Sequence, residues 1–170
     1  MTDDDRALLR WLRDRVEIEE TSRRFGRAAD SRDEEERNAL LDSCMTDDVE
    51  VQYPWGTWHG LEVEKRKLAT GIASLFRLTR HMLTNALIDV DGDRATAEYY
   101  VTSPHAMQSA DGEKIIWGGG IYRQELVRTP DGWRIAKHQC AGIWIADDGS
   151  LVKATAENAR EHGFASTAPA

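Results

Sequence analysis

One change of period divides this chain. As far as Cys44 the apolar residues recur at helical spacing, whereas from Thr79 onward they alternate along long segments parted only by short turns. Long strands joined by short turns must lie antiparallel to their neighbours. Strands of this length also twist and curl. Helices followed by a curled antiparallel sheet give an α+β arrangement, a cone-shaped sheet wrapped around N-terminal helices, or α+β barrel. Such a cone has one open mouth, the usual place for a small-molecule site.

The first thirty residues read as one helix. Asp3 to Asp5 offer capping groups and negative charge at its start. Leu8, Leu9, Trp11, Leu12, Val16, Ile18, Phe25, Ala28 and Ala29 supply its apolar positions. Gly26 weakens such a helix by about 1 kcal/mol, unless its missing side chain admits a neighbouring element. A linker, Ser31-Arg32-Asp33, leads to a second helix over Glu34 to Cys44. Val49 to Tyr53 alternates as a short strand, Pro54 to Gly60 reads as a loop or tight hairpin, and a third helix covers Leu61 to Phe76. Four strands follow: Thr79 to Val90, Arg94 to Met107, Lys114 to Arg128 and Trp133 to Ile145. Turns are expected at Asp91-Gly92-Asp93, Asp111-Gly112 and Thr129 to Gly132. Gly118-Gly119-Gly120 fits a bulge or bend inside a strand, and no helix follows it to make a phosphate loop. Residues 151–162 read as a short terminal helix. The whole chain, 1–170, is expected to be a single domain with its core over about residues 6–145 and a tail over 146–170.

Charge and cysteine content exclude several classes. A net charge of −8 argues against a nucleic-acid partner. No apolar run approaches the roughly 18 residues of a membrane span. The start, MTDDDRALLR, is acidic where a signal peptide is basic and then apolar, which places the protein in the cytoplasm. Cys44 and Cys140 lie far apart and form no CxxC pair, so two reduced thiols are expected. The five histidines sit singly, without HxH or HExxH spacing, so no metal is expected.

Imidazole is the side chain whose ordinary pKa lies near neutrality. His81, in Thr79-Arg80-His81-Met82-Leu83-Thr84-Asn85, therefore stands out, as does Asp30 at the end of the first helix. A carboxylate on one ring nitrogen would fix the tautomer and free the other nitrogen as a general base. By alternation His81 shares a face with Leu83, Asn85 and Leu87. His105, after Pro104, shares one with Ala97, Tyr99, Val101 and Ser103. Tyr53 ends the first strand with a hydroxyl in need of a partner. Each of these four also has a structural reading, as a boundary, core or edge residue. His138 and Cys140 share parity and face one interior. With Phe25, Trp55 and Trp117 they are candidates for the wall of a site for a flat, apolar substrate. His59 and His162 read as surface residues.

Four segments together resemble the SnoaL-like branch of the nuclear transport factor two superfamily. They are Phe25 to Asp33, Val51-Gln52-Tyr53-Pro54, Thr79 to Asn85, and Gly119-Gly120-Ile121-Tyr122 through Asp131-Gly132-Trp133-Arg134-Ile135. Within that branch the parallels are the scytalone dehydratase, bile-acid 7α-dehydratase and hexachlorocyclohexane dehydrochlorinase families. The resemblance implies cofactor-free lyases with an Asp–His pair, at Asp30 and His81. It also implies a tyrosine at Tyr53 and a second histidine at His105 in the scytalone dehydratase pattern. Ala29 and the glycine run depart from that pattern, and Phe25 departs from the dehydrochlorinase one.

The expected function is a dehydratase that removes water from a cyclic or polyketide-like hydroxy-ketone, with His81 as base, Asp30 orienting it, Tyr53 bonding the carbonyl and His105, if protonated, assisting the leaving hydroxyl. A ketosteroid-type isomerase is the alternative within enzymes. A ligand-binding protein like the small subunits of ring-hydroxylating dioxygenases is the alternative outside them. The partner expected is a small-molecule substrate. The resemblance adds self-association as a dimer or trimer.

Overall fold

The structure is a computed structural model, and it describes residues 1–109 and 112–146. The expected terminal helix and residue 111 of the second expected turn lie outside the described residues. Among those described, no helix is long and apolar enough to cross a membrane.

Helix α1 spans Asp3–Asp30 and α2 spans Glu34–Cys44. The cap of α1 is Thr2 rather than an aspartate: its hydroxyl accepts from the Asp5 N–H while the Asp5 carboxylate accepts from the Thr2 N–H. Asp33 caps α2, its carboxylate accepting from the Glu36 N–H at 2.8 Å. Strand β1, Met45–Tyr53, begins four residues earlier than the alternation alone predicts, and a tight turn joins it to β2, Gly56–His59. The third helix is broken, into α3 (Leu61–Thr70) and α4 (Ile72–Leu75). The break is at Gly71, where a Cβ would stand 2.7 Å from the Lys67 carbonyl oxygen.

The expected strand over Thr79 to Val90 is also divided, into β3 (Leu78–Thr79) and β4 (Met82–Asp91). Then come β5 (Arg94–Ser109), β6 (Gly112–Thr129) and β7 (Gly132–Ala146). The sheet order is β2-β1-β7-β6-β5-β3, with β4 also paired to β5. From β4 to β7 the ladder is antiparallel, while β1 joins β7 in parallel, so the sheet is mixed and its ends do not close. Register shifts at Thr84/Leu87, Gly119/Ile121 and Glu125/Leu126 bend these long strands around α1. The expected bulge at the glycine run is therefore present. Asn85, at φ 54°, carries the β4 bulge. It moves the buried face from Leu83 to Ala86, Ile88 and Val90, so simple alternation misplaced Asn85 and Leu87, and Leu87 lies exposed.

The core lies between α1 and the concave face of the sheet, with Ile18, Phe25, Leu41, Val49, Val51, Leu126, Trp133 and Ile135 almost wholly buried. Burial on α1 starts at Asp14, so Leu8, Leu9, Trp11 and Leu12 are exposed although they sit at helical spacing. Asp14 is a clamp. It accepts two bonds from the Arg128 guanidinium at 2.8 Å and one from Trp133 Nε1 at 3.2 Å, and Arg128 lies 4.4 Å over the Trp133 ring. The Arg128 bonds hold the Asp14 carboxyl below the usual carboxylate range, against the opposing effect of burial.

At the next turn of the same core α1 meets the sheet backbone. A Cβ on Gly26 would lie 3.3 Å from Leu83 Cδ1 and 3.6 Å from His81 Cβ. Gly26 therefore admits the strand, the second of the two readings its sequence position allowed. Gly26→Ala is expected to fold, because the Leu83 methyl can yield a few tenths of an ångström and alanine favours helix by about 1 kcal/mol. Gly26→Ile is expected to destabilise by at least about 2 kcal/mol, since its branch enters the space of His81. Thermal melts of the two variants test this, and an isoleucine variant as stable as the parent would refute the close approach.

A buried carboxyl links α3 to β2: Glu64 Oε2 accepts from Trp58 Nε1 at 2.7 Å, and Oε1 has no partner. Burial pushes Glu64 up to about 7, and the Trp58 bond opposes this only in part. The folded chain thus holds this proton more tightly than the unfolded one. The associated stability is fully present below about pH 4.5 and is lost as pH rises through about 7. Urea unfolding at pH 5 and pH 9 is expected to show a loss of roughly 2–4 kcal/mol that Glu64→Gln abolishes. An equal loss in the variant would assign it to another group.

Candidate functional site

Three local decisions bring Asp30 and His81 together. Helix α1 stops at Asp30, where the Ser31 N–H bonds back to Ala28 and Arg27 carbonyls. Strand β3 pairs with β5, setting Thr79 opposite His105. The chain then leaves the ladder for two residues, and the His81 N–H is given to Asp30 Oδ2 at 2.9 Å instead of to a strand. This is why the expected single strand is cut at Arg80 and His81.

The ring follows the backbone. His81 Nδ1 lies 2.7 Å from Asp30 Oδ1, and both side chains are largely buried. The same Oδ1 accepts from the Thr79 hydroxyl at 2.8 Å. That hydroxyl in turn accepts from Arg32 Nη2 at 2.9 Å, so its own proton is directed to Asp30. Burial would raise the Asp30 carboxyl, but bonds from the His81 ring, its N–H and Thr79 outweigh it and hold Asp30 below its ordinary value. With Nδ1 facing a carboxylate, Nδ1 carries the proton and Nε2 is left as the basic nitrogen. No described residue bonds to Nε2.

His105 stands beside this pair, its ring 5.7 Å from His81 and 4.6 Å from Phe76. Its Nδ1 donates to the Ser103 carbonyl at 2.9 Å. Burial, with the nearby His81, pushes it down to about 4. The expectation of a protonated His105 is thereby corrected: at neutral pH it is a neutral ring whose Nε2 can accept. Gly118 faces it, and a Cβ there would come 3.8 Å from His105 Cε1.

Tyr53 is partly buried, stacked between Trp55 at 5.0 Å and Trp58 at 5.5 Å, with the His138 ring at 5.9 Å. Burial raises its hydroxyl well above its ordinary value, so it is a neutral donor. The hydroxyl makes no hydrogen bond among the described residues. Phe25 and His138 are wholly buried with ring centres 4.3 Å apart, and Cys140 is buried near Tyr53 and Tyr122, its thiol pushed up by burial to about 12. Cys44 and Cys140 are both free, as expected.

Two wall candidates are not brought to the pair. Trp117 is 45% exposed, because Ile116 beside it pairs with His105 and takes the inward position, turning Trp117 to the outer face. Trp55 is 56% exposed and stacks on the Tyr53 ring. Sequence reasoning missed Thr79, Arg32 and Tyr122. Thr79 shares the parity of His81 two residues on, a signal that was available. The Tyr122 ring links His81, at 6.5 Å, with His138, at 4.6 Å, and only the fold shows this. Among the described residues, no three His, Cys, Asp or Glu side chains are grouped to hold a metal ion.

Comparison with known proteins places this geometry in a context. A SnoaL-like domain profile matches residues 10–139. The uncharacterized protein Rv2910c of Mycobacterium tuberculosis H37Rv is 30% identical over 136 residues, which are 78% of this chain and 89% of that protein. The crystal structure of Kfla4162 from Kribbella flavida superposes with a TM-score of 0.73 at 26% identity, covering 82% of this chain and 97% of that one. A type 2 hexachlorocyclohexane dehydrochlorinase superposes with a TM-score of 0.69 at 20% identity, covering 82% and 93%, and so shares the fold.

Thr79→Val keeps the volume of Thr79 and removes one of the three groups that bond Asp30. The Asp30 carboxyl is then expected to titrate at higher pH than in the parent, as followed by carboxyl carbon resonances. An unchanged titration would show that the hydroxyl does not support the pair.

Proposed function

The chain belongs to the SnoaL-like domain family, and on that premise we propose that it is a cofactor-independent lyase that removes water from a cyclic or polyketide-like hydroxy-ketone. The observation that carries this reading is the buried Asp30–His81 pair, with Nδ1 of His81 committed to the carboxylate and Nε2 unbonded among the described residues. The hexachlorocyclohexane dehydrochlorinase is among the proteins of this fold that are named for an elimination. At 20% identity that name supplies context, and the argument rests on the pair.

In the proposed reaction His81 Nε2 takes the proton from the carbon α to the carbonyl. The C–H electrons become the new carbon–carbon double bond as the β C–O bond breaks. The imidazolium, stabilised by anionic Asp30, gives its proton to the departing hydroxyl, which leaves as water, and His81 is restored. Tyr53 donates to the carbonyl while enolate charge builds. Neutral His105 orients the hydroxyl by accepting its hydrogen bond. One imidazole thus serves as base and then acid.

The neutral state of His105 also favours a second reading. An isomerase would return the same proton to another carbon and needs no acid for a leaving group. Product mass separates the two, since only dehydration loses 18 Da (one water, about 18 Da by composition).

The test is a panel of cyclic hydroxy-ketones, followed by absorbance of the conjugated product and by mass. His81→Ala and Asp30→Asn are each expected to lower turnover by at least about 10²-fold with circular dichroism unchanged. Undiminished turnover in either variant would remove the basis for the mechanism. A parent protein inert to the whole panel would favour the ligand-binding alternative.

A further inference from the structure

The interior holds a third imidazole that the reaction above does not use. His138 is wholly buried on β7, and its Nε2 has no hydrogen-bond partner among the described residues. Its other nitrogen belongs to a chain of bonds across the core. The Ser22 hydroxyl, on α1, lies 2.6 Å from Gln124 Oε1, and Gln124 Nε2 lies 3.3 Å from His138 Nδ1. Gln124 is the cross-strand neighbour of His138 and shares its inward face. With Gln124 so oriented, its amide donates to Nδ1, and the single ring proton of neutral His138 sits on Nε2. Nε2 lies on the side of the ring away from the Gln124 bond, and the His138 ring centre is 4.3, 4.6 and 5.9 Å from those of Phe25, Tyr122 and Tyr53.

A buried donor without an acceptor is rare in folded proteins and calls for a reason. The orphaned group here is neutral, so it does not call for a carboxylate or phosphate. It suits an uncharged oxygen. The surrounding rings suit the flat face of a cyclic molecule. Tyr122 connects this point to the base, its ring lying between those of His81 and His138.

We propose that His138 Nε2–H is the hydrogen-bond donor that receives a carbonyl or phenolic oxygen of a ring-shaped substrate, with Ser22 and Gln124 as positioning residues that set its tautomer. The inference rests on the reading of the site as one for a cyclic oxygenated compound, and it adds which atom holds the oxygen distal to His81.

The test uses the full chain and two probes, 2-tetralone and the parent hydrocarbon tetralin. Neither carries a hydroxyl to lose, so binding is read apart from turnover. Long-range proton–nitrogen correlation spectra of His138 are expected to show the proton on Nε2 in the free protein, and its resonance is expected to move on addition of 2-tetralone. The ketone is expected to bind about three- to tenfold more tightly than tetralin, the contribution of one neutral hydrogen bond. Because Tyr53 is the carbonyl donor of the proposed reaction, His138→Leu is made in a Tyr53→Phe background, where it is expected to bring that ratio to about one while tetralin binding persists, and Gln124→Leu is expected to leave a mixture of tautomers. A proton found on Nδ1, equal binding of the two probes by the parent, or a ketone preference that survives in the double variant would each overturn the proposal. The tautomer and the probe ratio of the parent decide the matter even if a variant fails to fold. A protein that binds 2-tetralone through His138 yet dehydrates no hydroxy-ketone would refute the proposed reaction and leave this inference standing.

Discussion

Everything at this site depends on one carboxylate that bonds to both the main chain and the side chain of the same residue. Asp30 takes the His81 N–H on one oxygen and the His81 ring on the other. The first bond removes His81 from the sheet ladder; the second sets the ring. A histidine held only by its ring could swing about its side-chain torsions, whereas here backbone and ring are fixed by the same group. Because Asp30 is the last residue of α1, the helix and the base cannot move separately. Gly26, one turn earlier, lets the two backbones come close enough for the bond to form.

The electrostatics follow from crowding. Three imidazoles, His81, His105 and His138, occupy one interior, and an anion reaches only His81. Burial and the neighbouring His81 push the other two down, to about 4 and about 3. The same crowding explains why a histidine placed by its sequence position to act as an acid is a neutral acceptor in the fold. Nothing in the residues Pro104-His105 announces how near His81 will lie.

Much of this was legible in the sequence wherever a local rule acts alone. The α2 helix, the hairpin turn at Asp91 to Asp93, the bulge at the glycine run and the pairing of Asp30 with His81 follow from caps, turn residues, glycine and the chemistry of imidazole. The family profile agrees with the resemblance carried by the segments around Asp30, Tyr53 and His81. What failed did so where tertiary structure overrules periodicity. Asn85 adopts a left-handed backbone and reverses the parity of β4, which alternation cannot foresee. Gly71 divides a helix that its apolar spacing presents as continuous. Trp117 faces outward because its neighbour Ile116 is the one opposite His105. The apolar residues of the first turns of α1 mark a helical period, but no strand among the described residues covers them.

Helix α1 is fastened near both ends of its buried stretch, by Arg128 and Trp133 at Asp14 and by Thr79 and His81 at Asp30, with bonds from Arg15, Thr21 and Ser22 to the sheet between them. The span between them is sixteen residues, about 24 Å of helix. Like the two jaws of a calliper, these fastenings fix the gauge of the interior independently of what lines it. Ile18, Ser22 and Phe25 lie between the jaws and face inward. Exchanging them alters the volume and polarity of the interior while Asp30 and His81 keep their place. Under the proposed function, substrate preference diverges along this one helical stripe without the reaction itself being rebuilt.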